Sequence, residues 1–223
     1  MKKVLITAGA TMSMIDQVRG VTNIFRGQTG TKITKYLHYR GYNVTLLTSN
    51  ARLAGQRKKA RWRVRKYRTF NELLHLMQEE ICSGTYDAVI HSAAVSDYEV
   101  ADVWVKDIDG RLVMIDNSKK ISSEHEELFF RSVKTEKIVD LIRAPWDFKG
   151  YLVKFKLQVG ITDDELLKIA EASRTHSDAD MIVANCLEWS RKSAFVMTGE
   201  NVVRYSRKNL PAAITDRMEG LKS

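Results

Sequence analysis

Apolar runs and helical patterns alternate along the chain. Val4–Ala8 is a short unbroken apolar stretch and predicts a strand. Thr29–Arg40 carries Ile33, Tyr36 and Leu37 at helical spacing, with Gly41 as its stop. Asn43–Thr48 and Arg61–Tyr67 are rich in β-formers and predict two further strands. Thr69 opens a helix through Leu73, Leu74, Leu76, Met77 and Ile81, and Thr69-Phe70-Asn71-Glu72 has the spacing of a capping box. Tyr86–Ser92 reads as a buried strand, and a long polar region from Asp97 to Glu124 reads as a loop. Helical spacing returns from Glu126 to Ile142. Tyr151–Val159 predicts a strand, Asp163–Arg174 a helix begun by Thr162, and Ala179–Ala184 a strand. Ala194–Met197 and Val202–Tyr205 form a C-terminal hairpin turning at Gly199-Glu200-Asn201, and Leu210–Leu221 is the last helix.

Strands and helices that alternate in this way, with continuous apolar strands, predict an α/β, Rossmann-like three-layer fold with a mostly parallel sheet. No repeat or low-complexity linker divides the chain, so residues 1–223 are expected to form a single domain. The segment 97–124 is then a dimerisation loop or strand insertion. Ligands of such sheets bind at the carboxyl ends of the strands. That rule points to residues 7–30, to Ser92–Asp97 and to the end of Tyr151–Val159.

Composition is that of an ordinary soluble globular protein, with 44% hydrophobic and 28% charged residues. No run reaches the roughly 18 apolar residues of a membrane span. The opening MKKVLITAG has too short an apolar run for a signal peptide, and Cys82 and Cys186 make no disulfide framework or zinc spacing. A cytoplasmic location is the expectation. The net charge of +9 favours anionic ligands without naming one. The run from Arg57 to Arg68 reads as a solvated edge strand, and a nucleic-acid patch is its alternative.

Among candidate sites, Gly27-Gln28-Thr29-Gly30 opens the first helix, where free amides and the helix dipole suit a phosphate; plain turn chemistry is the alternative. The glycine spacing is neither a dinucleotide fingerprint nor a P-loop. Ala93 and Ala94 would let a ligand approach the backbone at the end of a strand. Asp97 is a carboxylate at the ligand edge or a simple turn residue. Lys119-Lys120 lies in the polar loop, and Asn185 ends a strand. The histidines show no metal-ligand spacing, and neither cysteine has a base beside it.

Taken together, these segments resemble phosphopantothenate–cysteine ligase. Val4-Leu5-Ile6-Thr7-Ala8-Gly9-Ala10-Thr11 with Ile15-Asp16-Gln17-Val18-Arg19 resembles the family's "ITAGPT…IDPVR". Thr22-Asn23 with Gly27 and Gly30 resembles "TNxSSGxxG", and Ala93-Ala94-Val95-Ser96-Asp97-Tyr98 resembles "AAVSDY". Lys120-Ile121 resembles the start of "KIKK", and Val133-Lys134-Thr135 the "VKTPDI" helix. Phe155-Lys156-Leu157 resembles "GFKLET", and Ile182-Val183-Ala184-Asn185 resembles "LIVAN".

The resemblance implies a ligase that joins 4′-phosphopantothenate to cysteine through an acyl-nucleotide intermediate, in coenzyme A biosynthesis. CTP or ATP is the co-substrate, with Mg²⁺. It implies a homodimer, and the stand-alone form without a decarboxylase domain. Asn23, Ala93, Ala94 and Asp97 would bind phosphopantothenate. Gly9, Gly27, Gly30, Phe155 and Asn185 would border the nucleotide. Lys120 would close over the phosphates from a mobile loop, and Asn23 and Lys120 would carry the catalysis. Phe25-Arg26 replaces the family's Ser-Ser, Ser122-Ser123 replaces two lysines, and Cys186 stands where many relatives have Asp. A nucleotide-binding homologue without turnover is the second alternative.

Overall fold

The computed structural model describes residues 2–50, 52 and 62–220. Five of its strands form the buried, parallel part of the main sheet: β1 (Lys3–Ala8), β4 (Asn43–Thr48), β6 (Ala88–His91), β10 (Tyr151–Gln158) and β11 (Met181–Cys186). β5 (Arg63–Lys66) adds a parallel edge beside β4. The antiparallel hairpin β12 (Ser193–Thr198) and β13 (Asn201–Ser206) extends the other side. The eight-stranded order is β13-β12-β11-β10-β6-β1-β4-β5. A two-stranded ribbon pairs β2 (Met12–Met14) with β3 (Gly20–Thr22), and a three-stranded antiparallel sheet holds β8 (Leu112–Ile115), β7 (Tyr98–Lys106) and β9 (Phe129–Lys134).

Alternation along the strands feeds two cores. Val4, Ile6, Ala8 and Val153 turn to one face, which α1 (Gln28–Tyr39) covers with Ile33 and Leu37 and α5 (Leu210–Met218) with Leu210 and Ile214. Leu5, Val89 and Leu152 turn to the other, under Leu73, Met77 and Ile81 of α2 (Phe70–Cys82) and Ile138 of α3 (Ile138–Leu141). α4 (Asp163–His176) seals a third cluster with Leu166 and Ala170 against Ile182 and Ala184. Strands buried on both faces leave little room for polar alternation, which is why these runs are mostly apolar, with buried Thr7, Thr45, Thr48 and Lys154 among the exceptions. The three-layer α/β expectation is met.

Two expectations need correction. Of the loop or strand insertion expected over 97–124 the structure shows strands, β7 and β8, so the loop alternative is the part corrected. The helix expected over 126–142 is the strand β9 followed by the short α3, so Val133-Lys134-Thr135 ends a strand and does not start a helix. Phe129 and Val133 have helical spacing, but pairing with Trp104 and Glu99 of β7 supplies the backbone partners. Period alone cannot detect such a tertiary choice. The basic run is, where described, the expected edge strand. Arg63 and Arg65 pair with Glu80, and Arg65 also with Glu79, at 2.7 to 3.2 Å. Arg57–Arg61 lie outside the described residues, as does Leu221 of the expected last helix. No helix among the described residues is long and apolar enough to cross a membrane.

Candidate active site at the switch point of the sheet

From β1 the chain runs outward to β4 and β5, then returns to β6, β10 and β11 on the other side. The carboxyl ends of β1 and β6 are therefore the topological switch point, where the crevice of such a sheet opens. Gly9 leaves β1 with φ +106, a conformation that favours glycine. The Ala94 amide donates to Gly9 O at 2.8 Å and the Thr11 amide to Ala94 O at 3.3 Å, so the two strand ends are knitted together. The Ala93 amide donates to Thr7 Oγ1 at 3.1 Å and the Ser96 amide to Thr11 Oγ1 at 2.8 Å.

The β2–β3 ribbon delivers Asn23 to this seam. Thr22 Oγ1 donates to Thr11 O at 2.8 Å, and Asn23 Nδ2 donates to Ala94 O at 3.1 Å. Asn23 is exposed, and among the described residues its Oδ1 has no hydrogen-bond partner. Asn23, Gly9 and Ala94, far apart in sequence, thus share one spot. Asp97 is exposed on the turn into β7, its carbonyl accepting from the Thr135 amide at 2.9 Å.

Gly27 and Gly30 bring the first turn of α1 onto the same seam. A Cβ on Gly27 would lie 2.4 Å from Gly9 N, and one on Gly30 would lie 2.7 Å from Ala8 Cβ. Only glycine permits that approach, so both have a packing role whatever else they do. Gly27 is the N-cap with φ 74, no side chain caps the helix, and its first turn holds no acid. The contrast within the molecule is informative. α2 and α4 carry full capping boxes with Glu72 and Glu165, while α1 leaves its first amides and positive dipole end without an anion.

A cation stands there instead. Arg207, on the turn after β13, donates from Nη2 to Thr29 Oγ1. It is half-buried, burial draws its pKa below the usual guanidinium value, and among the described residues no carboxylate pairs with it. A guanidinium beside the positive end of a helix is electrostatically unfavourable unless an anion lies between them. Sequence reasoning passed over Arg207 because the contact spans 178 positions and the local sequence reads as a polar turn.

Phe155 and Asn185 lie on the face covered by α1. Phe155 pairs with Val183 and Leu157 with Asn185, and Phe155 packs partly buried on the first core. Lys154 points the other way, with Nζ donating to Ser173 O at 2.9 Å and to Ser177 Oγ at 2.6 Å. Burial pushes it down to about 8, against the pull of Asp140. Its strand neighbour His91 is buried and lies 3.0 Å from Thr7 Oγ1. Burial and the Lys154 charge push this imidazole down to about 4, so it is neutral. Cys186 is buried with its thiol raised by burial, which removes it as a nucleophile.

Lys119 and Lys120 are exposed, and among the described residues neither side chain has a hydrogen-bond or ion-pair partner. The fold thus gathers Asn23, Ala93, Ala94, Gly9, Gly27 and Gly30 at one seam and sets Phe155 and Asn185 on the face next to it. Lys120 is tied to this assembly only through its backbone neighbours.

Comparison with known proteins gives a consistent match. The family model "DNA/pantothenate metabolism flavoprotein C-terminal domain" matches residues 1–218. The bifunctional coenzyme A biosynthesis protein CoaBC of Thermococcus kodakarensis is 28% identical over 229 residues, which cover 98% of this chain and 51% of that protein. CoaBC of Escherichia coli K12 is 28% identical over 184 residues, 82% of this chain and 40% of that one. The chain therefore spans about half the length of the curated relatives it matches. The DNA/pantothenate metabolism flavoprotein from Streptococcus pneumoniae superposes with TM-score 0.84 at 28% identity, covering 99% of each chain. A Cab2 variant solved with phosphopantothenate-cysteine shares the fold at TM-score 0.69 and 15% identity, over 98% of this chain and 88% of that one. This chain belongs to the family of the DNA/pantothenate metabolism flavoprotein C-terminal domain.

Proposed function

We propose that this chain, read as one domain over residues 1–223, is a phosphopantothenate–cysteine ligase. The observation that carries the reading is the meeting of Asn23, Ala94 and Gly9 with an uncapped helix end that already has Arg207 beside it. A free carboxylate is a poor acyl donor because resonance stabilises it and oxide leaves badly. Its oxygen attacks the α-phosphorus of a nucleoside triphosphate, the bond to the bridging oxygen breaks, and pyrophosphate leaves. The cysteine amine then attacks the acyl carbon and the nucleoside monophosphate leaves.

Each protein group has a task that is positional or electrostatic. The amides of Gln28 and Thr29 and the Arg207 guanidinium hold the phosphates. Lys120, with Lys119 next to it, adds a cation on a flexible side chain. The second N–H of Asn23 steadies the acyl oxygen, while its first bond to Ala94 fixes the carboxamide. Ala93, Ala94 and Asp97 border the pantothenate arm, and Phe155 and Asn185 border the nucleotide. Among the described residues no three His, Cys, Asp or Glu side chains cluster to hold a metal. Mg²⁺ in this reading enters with the triphosphate, ligated mainly by phosphate and water, and neutralises charge there.

The test is turnover with 4′-phosphopantothenate and cysteine, run with CTP and with ATP. The expected result is one pyrophosphate and one phosphopantothenoylcysteine per cycle. Asn23→Ala and Lys120→Ala should each lower turnover on the order of a hundredfold or more. Arg207→Gln should chiefly raise the KM for the nucleotide. Near-normal activity in both Asn23→Ala and Lys120→Ala would refute the site assignment.

A further inference from the structure

The segment 15–19 looks at first like an ordinary tight turn. Ile15 N donates to Arg19 O at 2.9 Å, and the amides of Val18 and Arg19 donate to Asp16 Oδ1 at 2.8 and 2.7 Å. Closing that turn needs no more than this. Yet Asp16 is only 2% exposed, and its second oxygen is committed elsewhere. Oδ2 accepts from Arg19 Nε at 2.9 Å, from Arg19 Nη2 at 2.5 Å and from the Ile121 amide at 3.1 Å. Arg19 Nη2 also donates to Ile121 O at 2.8 Å.

One ion pair therefore takes both backbone polar groups of Ile121, whose side chain is buried at 4% exposure. On the far side of the lysines, Asn117 Nδ2 donates to Ile15 O at 3.0 Å. Residues 118–120 are thus a short arch with both feet on the same turn. That turn runs directly into β3 and on to Asn23, whose carboxamide is fixed on Ala94 O.

We propose that Asp16, Arg19 and Asn117 are positioning residues: they clamp the Lys119-Lys120 arch to the segment that carries Asn23, so cation and carboxamide are presented as one unit. A lysine on a free loop loses much rotational and backbone freedom each time it meets an anion. An arch with fixed feet has surrendered most of that freedom on folding, which is preorganisation. The neighbouring Arg19 guanidinium, followed by the amides of Arg19, Val18 and Ile121, holds the Asp16 carboxyl well below the usual carboxylate range. That shift favours the charged carboxylate on which the clamp depends. The catalytic consequence rests on the ligase reading; the clamp itself does not.

Amide hydrogen exchange and steady-state kinetics on the full chain test both parts. In the unaltered protein the Ile121 amide should exchange far more slowly than those of Ser122 and Ser123. Asn117→Ala and Arg19→Lys should each speed exchange at residues 118–121 by roughly tenfold or more, with β1 and β6 unchanged. Both should lower kcat/KM by roughly 10- to 100-fold, and either one combined with Lys120→Ala should add little beyond Lys120→Ala alone. Asp16→Asn belongs in the series, and Asn117→Ala carries the test if that buried change prevents folding. Fast exchange at Ile121 in the unaltered protein overturns the clamp. Full activity in the clamp variants, or losses that simply add to that of Lys120→Ala, overturns the positioning role. Slow exchange that the variants abolish in an inert protein supports the clamp and counts against the ligase reading.

Discussion

Thr7 Oγ1 accepts from the Ala93 amide and lies 3.0 Å from His91 Nδ1, so one hydroxyl links a buried imidazole to the wall of the candidate site. In one tautomer of the neutral His91 imidazole Nδ1 accepts the Thr7 hydroxyl proton, and in the other Nδ1–H donates to Thr7 Oγ1. Burial with the Lys154 charge holds its pKa at about 4, below the ordinary 6.5. The unfolded chain takes up a proton near pH 6.5 and the native chain only near 4, so stability falls on acidification through that window. His91 alone should contribute a loss on the order of 3 kcal/mol between those limits. Urea midpoints measured from pH 7.5 to 4 should fall more steeply for the native sequence than for His91→Asn; parallel curves would disprove the neutral buried imidazole. At this scale the sequence was a partial guide. Asn23, Ala94 and Gly9 were legible because a motif marks them. His91, Arg207 and Asp16 gained their meaning only from partners 84, 178 and 105 positions away.

The helices and strands best read from sequence were those whose signals are local. Thr69 caps α2 with the expected box, and Thr162, expected to begin its helix, closes a second box with Glu165, because a capping box is closed by residues three apart. The apolar runs of β1, β4, β10 and β11 needed no partner to be recognised. β9 was misread because its identity comes from pairing with β7; β7 and β8 were not placed individually within the expected insertion, because β7 mixes polar and apolar residues and the Leu112–Ile115 run of β8 is only four residues long. α1 shows the cost of a functional exception. It has no side-chain cap, and it begins at a glycine whose φ is 74 and whose missing Cβ makes room for Gly9. Gly27→Ala should lower stability by about 1 kcal/mol or more, from the left-handed backbone and the 2.4 Å approach to Gly9 N. It should also weaken nucleotide binding by separating α1 from β1. Calorimetric titration of the folded variant with CTP and ATP reads the second effect, and undiminished affinity would reduce Gly27 to a packing residue.

At the level of the whole molecule, the sheet order places a crevice at the ends of β1 and β6, and Gly9, Asn23, Gly27, Gly30 and Ala94 meet there. The fold class was legible from alternation; the crossover that creates the switch point was not, because connection length does not say on which side a strand lands. The three-stranded sheet turns Met114 outward opposite Trp104, and Leu112 and Met114 are 52% and 59% exposed. Apolar side chains exposed together on one face are consistent with the homodimer that the family resemblance implies. Sedimentation should give a dimer that Met114→Glu converts to monomers, and a native monomer at assay concentrations would refute it. Carboxylate activation at the β1–α1 seam is the central step of the proposed reaction. Its most direct test omits cysteine: protein, 4′-phosphopantothenate, Mg²⁺ and either CTP or ATP are mixed, quenched and analysed by mass spectrometry. An acyl-nucleotide and an equal amount of pyrophosphate are expected with at least one of the two nucleotides, both greatly reduced by Arg207→Gln at low nucleotide. Neither product with either nucleotide, from folded protein, would contradict it.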